Sequence, residues 1–340
     1  MTFERDLISR YLPHLAAPGA GPAERLDASL LCAATAAVVR VDERLRAASP
    51  AVRSGWMARA LLHEATASAR LDGAFAETRD LLLMDHHALD RLVDQATQRA
   101  FQVLHLLRAA ARRHPRQLFT PRRLMAAARL RLKNRGEAAG APDWLQERRA
   151  DALEIQETLA RALDPAALAA LRHRPALQGA LEFLVLWHRS GAADLLGGAP
   201  GRALASAWLR RVGLTTDASM MPALGFLGHA GDYQPLDARR WSSHFLEATV
   251  RGAEWQLSLL DRLARSERRF SELLTPARST SQIPRLADFV ISSAAVSPRG
   301  AAEALGLTQA TVRRALGEFE RAKLVEELTG RDAFRLYAAA

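Results

Sequence analysis

The sequence has a single cysteine, Cys32, which excludes an internal disulfide framework and a zinc site built from four cysteines. Long apolar runs are also missing. The longest apolar stretches, such as 28–39 and 176–187, are shorter than the roughly 20 residues that a membrane span needs. The charged start, Met1 to Asp6, is unlike a signal peptide. We therefore expect a cytoplasmic protein without a membrane partner.

Lysine is nearly absent, since only Lys133 and Lys323 occur, so the positive charge is almost all arginine. Acidic residues are missing from one stretch, 101–135, which carries ten arginines and lysines. The whole chain has 47 basic and 37 acidic residues, a difference of 10, so this stretch accounts for the entire net charge. Concentrated positive charge favours a polyanionic partner such as a nucleic acid.

A helix is predicted from Thr120, because Thr-Pro supplies a cap and a first helical residue. Its basic residues lie apart from its apolar ones and form a possible phosphate-contact patch of Arg122, Arg123, Arg129 and Lys133. The alternative is a solvated face, or pairing with nearby acidic residues. Those residues are Asp143, Glu147, Asp151, Glu154 and Glu157.

Apolar residues recur every three to four positions from Leu26 onward, which predicts a mainly α fold. We expect a mobile lead-in over 1–25, an all-helical domain over 26–275, a linker over 276–282 and a small domain over 283–340. The predicted helices of the large domain are 88–112, 120–134, 144–163, 176–189, 202–212 and 238–274. Glycine-rich loops are predicted at 136–142 and 191–200.

The last domain has the pattern of three helices and a hairpin. Ser297 caps the second predicted helix, Gly306 makes a turn, and Thr308 caps the third. Strands are expected at 324–328 and 333–337. This order, together with the residues from Ser297 to Tyr337, resembles the winged helix-turn-helix domains of bacterial transcriptional regulators.

The resemblance implies that the third helix and the hairpin bind double-stranded DNA. Glutamine can pair with adenine and arginine with guanine, whereas threonine and the hairpin arginines suit phosphates or the minor groove. The residues expected to contact DNA are Thr308, Gln309, Thr311, Arg313, Arg314, Arg331 and Arg335. The domain has eight basic and seven acidic residues, so a role in protein contacts is the alternative.

Three stretches of the large domain resemble Fic proteins. The residues from Glu64 to Gly73 are similar to the Fic inhibitory helix, in which a glutamate blocks the site of the ATP γ-phosphate. Ser68 and Gly73 match that motif, and Asp72 stands in place of the glutamate. The residues from Trp241 to Leu246 are similar to a Trp-x-x-x-Phe-Leu pattern found downstream in the same family.

The stretch from Gly201 to Leu214 resembles the second half of the Fic core motif and the helix after it, in a degenerate form. In the family a histidine is the general base for AMP transfer, an acidic residue holds Mg²⁺, and backbone amides bind phosphates. Here Asp194 replaces the histidine, Gly198 replaces the metal ligand, and Pro200 replaces an asparagine of the motif. Gly201 and Arg202 alone match. These departures predict no AMP transfer, no catalytic residue, no metal and no cofactor.

The sequence therefore predicts a DNA-binding transcriptional regulator with a catalytically inactive Fic-like body. That body would serve in homodimer formation, sensing or recruitment. The alternatives are an AMP-transferase derived from Fic, or an adaptor whose winged helix makes only protein contacts. A nucleotide or another anion bound at the 197–202 loop as a signal is a further open interpretation.

Overall fold

The computed structural model describes residues 27–88, 93–127, 153–218, 220–233, 235, 238–274, 282–330 and 335–340. Within these residues the protein is mainly α-helical, with one two-stranded antiparallel sheet. The mainly α prediction is confirmed. Every described helix is too short or too polar to cross a membrane. The predicted lead-in at 1–25 and the loop at 136–142 lie outside the described residues, as does the linker except Gln282.

We call residues 27–274 the body and residues 282–340 the C-terminal segment. The helices of the body are α1 (Ala28–Ala47), α2 (Pro50–Leu71), α3 (Thr78–Asp85), α4 (Gln95–Arg112), α5 (Pro115–Leu118), α6 (Pro121–Ala127), α7 (153–162), α8 (Pro165–Leu171), α9 (Ala176–Arg189), α10 (Ala192–Leu196), α11 (Ala199–Arg211), α12 (Pro222–Gly225) and α13 (Ala238–Leu274). The C-terminal segment contains α14 (Ile283–Ser292), α15 (Pro298–Leu305), α16 (Gln309–Arg321), β1 (Val325–Glu327) and β2 (Tyr337–Ala339).

The core of the body lies between α2, α13 and the pair α9 and α11. The 37-residue helix α13 packs along α1, α2 and α12, while α4 covers another side of α2. Four tryptophans of this core, Trp56, Trp187, Trp208 and Trp241, are at most 1% exposed. Burial of such large rings supplies much of the hydrophobic stabilisation and fixes how the helices approach one another.

The predicted helix over 88–112 is wrong about its start. In the structure α4 begins at Gln95, because the Asp94 carboxylate accepts a hydrogen bond from the Thr97 amide at 2.7 Å and caps the helix there. Its end is confirmed: α4 stops at Arg112, and Pro115 opens the short helix α5.

The predicted loop over 191–200 is also wrong. Gly191 and Gly197 both have a φ of 82°, and between them lies the one-turn helix α10. The next helix, α11, begins at Ala199, three residues before the predicted start at Arg202. Pro200 lies in its first turn, where the missing amide hydrogen costs no helical hydrogen bond. Between α11 and α13 lies the short helix α12.

The C-terminal segment has the predicted order of elements. Ser297 caps α15 by accepting from the Gly300 amide at 3.0 Å, Gly306 is left-handed with a φ of 67°, and Thr308 caps α16. The prediction of the second strand at 333–337 is wrong about its bounds. In the structure β2 covers Tyr337–Ala339, and its Ala339 pairs with Val325 of β1. The pairing continues at Val296, which exchanges two backbone hydrogen bonds with Tyr337 at 2.8 and 2.9 Å.

The C-terminal segment packs directly against the body. The backbone of α14 approaches Gly55 of α2 so closely that a Cβ there would overlap the Ile291 carbonyl, and Arg59 donates to the same oxygen at 2.9 Å. Phe270 of α13 meets Phe319 of α16 edge to face at 4.9 Å. The buried apolar residues of both parts belong to one continuous cluster.

Candidate functional site

The carboxyl end of α2 meets the amino end of α11 at an open cleft of about 1150 Å³. Asp72 and Ala74 line it on one side, and α10 with the start of α11 lines it on another. His188, Tyr233 and Trp241 also contribute to its wall. The residues that resemble the Fic inhibitory helix and those that resemble the degenerate core motif are therefore neighbours in space.

Arg202 joins these two stretches. Its Nε donates to the Ser68 hydroxyl at 2.8 Å, and its Nη2 donates to the Ser68 carbonyl at 2.7 Å and to Asp72 Oδ1 at 2.8 Å. The side chain is only 1% exposed, so its charge is compensated by a carboxylate within the protein. A buried, hydrogen-bonded ion pair of this kind fixes the position of α11 relative to α2.

The other oxygen of Asp72 caps α11. Its Oδ2 accepts from the amide of Ala199, the first residue of that helix, at 3.0 Å. The amino end of a helix attracts anions because its first amides are unpaired and the helix dipole is positive there. In this protein the carboxylate of Asp72 occupies that position.

Two glycines make this approach possible. A Cβ at Gly198 would overlap Arg202 Nη1 and lie 2.9 Å from Asp72 Oδ1. A Cβ at Gly201 would lie 2.6 Å from Cδ1 of Trp187, whose indole N–H donates to the Gly197 carbonyl at 3.1 Å. Close packing therefore requires glycine both at Gly198, which replaces the metal ligand of the Fic core motif, and at Gly201, which matches that motif.

Tyr233 and His188 continue the polar network into the cleft. The Tyr233 hydroxyl lies 3.5 Å from His188 Nε2, and the Tyr233 ring lies 5.2 Å from Cζ of Arg202. Burial alone would lower the pKa of Arg202, but neighbouring Tyr233 and Asp72 outweigh burial and raise it. Burial and the charge of Arg202 lower the pKa of His188, which favours its neutral form.

Glu64 lies one helical turn before Ser68 and is fully buried. Its carboxylate accepts from the amides of Ala223 and Leu224 at 3.1 and 2.9 Å, at the amino end of α12. Burial raises its pKa to about 7, despite these hydrogen bonds and the nearby charge of Arg202.

Sequence reasoning missed His188, Tyr233 and this role of Glu64. Glu64 lies in the segment that resembles the Fic inhibitory helix, and a carboxylate among the apolar residues of a helix is a signal that could have found it. Tyr233 follows a short 3-10 helix at Ala230–Asp232, and no motif marks it.

Asp194 lines the cleft from α10 and is exposed, while Gly198 precedes α11 and Pro200 is buried in its first turn. A carboxylate is a weaker base than an imidazole, and proline donates no amide hydrogen to an anion. Among the described residues, no group of three histidines, cysteines or carboxylates is placed to hold a metal ion.

Of the residues expected to contact DNA, those that the structure describes do not line the cleft. Val312, Ala315, Leu316 and Phe319 form the buried stripe of α16. Gln309, Arg313 and Arg314 are exposed, and Thr311 hydrogen-bonds through its hydroxyl to Thr308 at 2.9 Å. Arg335 is exposed before β2, and Arg331 lies outside the described residues.

The predicted phosphate-contact patch is described only in part. Arg122 and Arg123 are exposed on α6, whereas Arg129 and Lys133 lie outside the described residues. Of the proposed acidic partners, Glu154 and Glu157 are exposed on α7 and form no ion pair within the described part of the chain. The other three, Asp143, Glu147 and Asp151, lie outside it.

No family model and no curated protein matches this chain. The resemblances to Fic proteins and to winged helix-turn-helix domains therefore rest on the residues quoted above.

Proposed function

We propose that the protein is a DNA-binding transcriptional regulator whose C-terminal segment is a winged helix-turn-helix domain and whose body is Fic-like and catalytically inactive. The observation that carries the proposal is the exposed polar face of α16. This capped helix follows a left-handed glycine turn and directs Gln309, Arg313 and Arg314 away from its buried stripe. Second helices of such turns bind in the major groove.

The side chains on this face suit base recognition. Glutamine can donate to and accept from adenine, and arginine can donate twice to guanine. The hairpin of β1 and β2 follows α16 directly and carries the exposed Arg335, which suits a phosphate or a minor-groove contact.

The proposal that the body transfers no AMP rests on the cleft. Asp72 occupies the anion position at the start of α11, Asp194 is a poor replacement for a histidine base, and Pro200 removes an amide donor. The body would instead serve in dimerisation, sensing or recruitment.

The close packing between the two parts supports their acting together. Arg79 of α3 donates to the Leu328 carbonyl of the hairpin at 2.6 Å, and Arg269 of α13 donates to the Lys323 carbonyl at 2.9 Å. Loss of either hydrogen bond would therefore weaken the attachment of the hairpin to the body.

The test is selection of bound fragments from genomic DNA by the full-length protein, followed by sequencing. We expect a preferred sequence that is lost in the double variant Gln309→Ala, Arg313→Ala. The matched control is Gln282→Ala, Arg285→Ala, which removes the same two side-chain types from exposed positions at the start of α14. The proposal fails if no fragment is preferred or if both double variants behave alike.

A separate measurement tests the body. Incubation with Mg²⁺ and ATP labelled at the α-phosphate should transfer no label to the protein or to a lysate. Label that appears, and that disappears in Arg202→Ala, would contradict an inactive body while leaving DNA binding as a separate question.

A further inference from the structure

Three arginines that are distant in sequence meet at one surface of the body. Arg116 lies on α5, Arg172 follows the last residue of α8, and Arg211 is the last residue of α11. We call these three residues the arginine cluster. Grouped like charges repel one another, and binding of an anionic partner lowers that cost in free energy.

An aromatic pair lies beneath the cluster and brings α5 and α11 together. Phe119 follows Arg116 by three residues, Trp208 precedes Arg211 by three, and the two rings meet at 6.0 Å. Cζ of Arg211 lies over both rings, at 4.6 Å from Phe119 and 5.7 Å from Trp208. Such cation–π contacts hold the guanidinium in one place.

The end of α8 reaches the same tryptophan. At Gly179 of α9, a Cβ would lie 2.7 Å from Nε1 of Trp208 and 3.1 Å from the Leu171 carbonyl. Leu171 is the residue before Arg172. The close approach at this glycine therefore places the end of α8 beside Trp208, and the charge of Arg172 is close enough to Arg211 to act on it.

The charges of the cluster are uncompensated within the described part of the chain. None of the three arginines forms an ion pair with a described carboxylate, and Nε and Nη1 of Arg211 are buried without a hydrogen-bond partner there. Burial first, and then the charges of Arg172 and Arg116, lower the pKa of Arg211. Buried unpaired donors of this kind call for an explanation.

Further arginines extend the positive surface. Arg112 ends α4, and Arg122 and Arg123 begin α6, all three with exposed side chains. Arg113 donates to the Arg123 carbonyl at 3.5 Å, which places the end of α4 beside the start of α6.

We propose that the arginine cluster binds the phosphate backbone of duplex DNA, as a contact surface separate from α16; this inference rests on the proposed function. Planar guanidinium groups match phosphate oxygens with paired donors. A protein partner is less favoured, because a protein interface needs an apolar centre. None of the exposed large apolar side chains of the described residues belongs to α5, α8 or α11: they are Phe75, Leu153, Leu195, Leu227 and Leu273.

The experiment measures binding of the full-length protein to a fluorescent duplex of random sequence over a salt series. The variant is Arg116→Glu, Arg172→Glu, which changes exposed side chains and leaves Arg211 on its rings. Loss of two phosphate contacts should make the slope of log K against log salt shallower by about 2, since each contact contributes about 0.9. The uncharged pair Arg116→Gln, Arg172→Gln removes the same two contacts without reversing the charge. It should make the slope shallower as well, which separates the loss of phosphate contacts from any harm that charge reversal does to folding.

The matched control is Arg40→Glu, Arg70→Glu, which makes the same change of net charge at exposed residues of α1 and α2. Its slope should equal that of the unmodified protein. Equal slopes for the cluster variant and the control overturn the inference. So does a cluster variant that loses binding to a polyglutamate peptide while its duplex binding is unchanged. The selection of genomic fragments with the α16 variant tests sequence preference separately. Its failure would contradict the proposed function, whereas an unchanged salt slope would contradict only the role of the arginine cluster.

Discussion

At the scale of single residues, two buried ionisable side chains, Arg202 and Glu64, lie close enough for their charges to interact. Arg202 is compensated by Asp72, with which it forms a hydrogen-bonded ion pair. Glu64 has only two backbone amides as partners, so its burial is not offset in the same way. This difference makes Glu64 a group whose protonation changes on folding.

The free energy of unfolding should therefore depend on pH through Glu64. Its pKa is 4.5 in an unperturbed setting and about 7 in the fold. Between these values the folded protein holds a proton that the unfolded chain has released, so stability falls as pH rises from 4.5 to about 7, by about 3 kcal/mol in total. Glu64→Gln should remove this dependence, measured by urea denaturation from pH 5 to pH 8.

The difference in stability between Glu64→Gln and the unmodified protein should change with pH in one definite direction. The amide introduced by Glu64→Gln keeps an acceptor oxygen but carries no charge, so the variant should gain on the unmodified protein as pH rises. Glu254→Gln, at an exposed position of α13, should leave the pH profile unchanged. Parallel profiles for the protein and Glu64→Gln would show that Glu64 does not titrate in this range.

At the scale of elements, the site depends on how closely the start of α11 approaches the end of α2. Gly198→Ala should destabilise the protein by about 1–3 kcal/mol, because the new Cβ would overlap Arg202 Nη1 and crowd Asp72. Chemical denaturation measures this cost. Gly317→Ala is the matched control: no atom lies within 4 Å of its Cβ, so alanine in the interior of α16 should stabilise by up to about 1 kcal/mol. If both variants are less stable than the unmodified protein, or both are more stable, the packing argument is contradicted.

Element types were largely predictable from local chemistry. The strong apolar spacing of 176–189 predicts α9 with its observed bounds, and the capping residues Ser297 and Thr308 mark the starts of α15 and α16. The one-turn helix α10 could not be predicted, because five residues between two glycines carry no periodic signal. Its formation depends on tertiary packing against α9 and α11.

The candidate site was predictable only as two separate stretches. Resemblance pointed to Ser68 and Asp72 in one and to Gly201 and Arg202 in the other, but spacing along the chain cannot show that their side chains meet. The contact between Arg202 and Asp72 spans 130 residues of sequence. Tyr233 enters the same network from a stretch without regular pattern, which is why sequence reasoning missed it.

At the scale of the whole molecule, the relation between the body and the C-terminal segment decides how the protein unfolds. The sequence predicts a separate small domain after a linker, whereas the apolar core passes without a break from α13 and α2 into α14 and α16. Hydrogen bonds from Arg59, Arg79, Arg269 and Ser266 also cross between the two parts. A shared core favours one cooperative transition.

The positions of the tryptophans allow a direct test of that cooperativity. All six tryptophans precede residue 275, so intrinsic fluorescence reports unfolding of the body alone. Phe319→Ala removes a ring of α16 that is 1% exposed and contacts Phe270, and should cost about 3–5 kcal/mol. With a shared core, this loss of stability also lowers the unfolding midpoint measured by tryptophan fluorescence. Leu273→Ala, at a side chain 45% exposed, should leave that midpoint nearly unchanged. An unchanged tryptophan midpoint in Phe319→Ala would instead show that the C-terminal segment unfolds on its own, and would make the linker a true domain boundary.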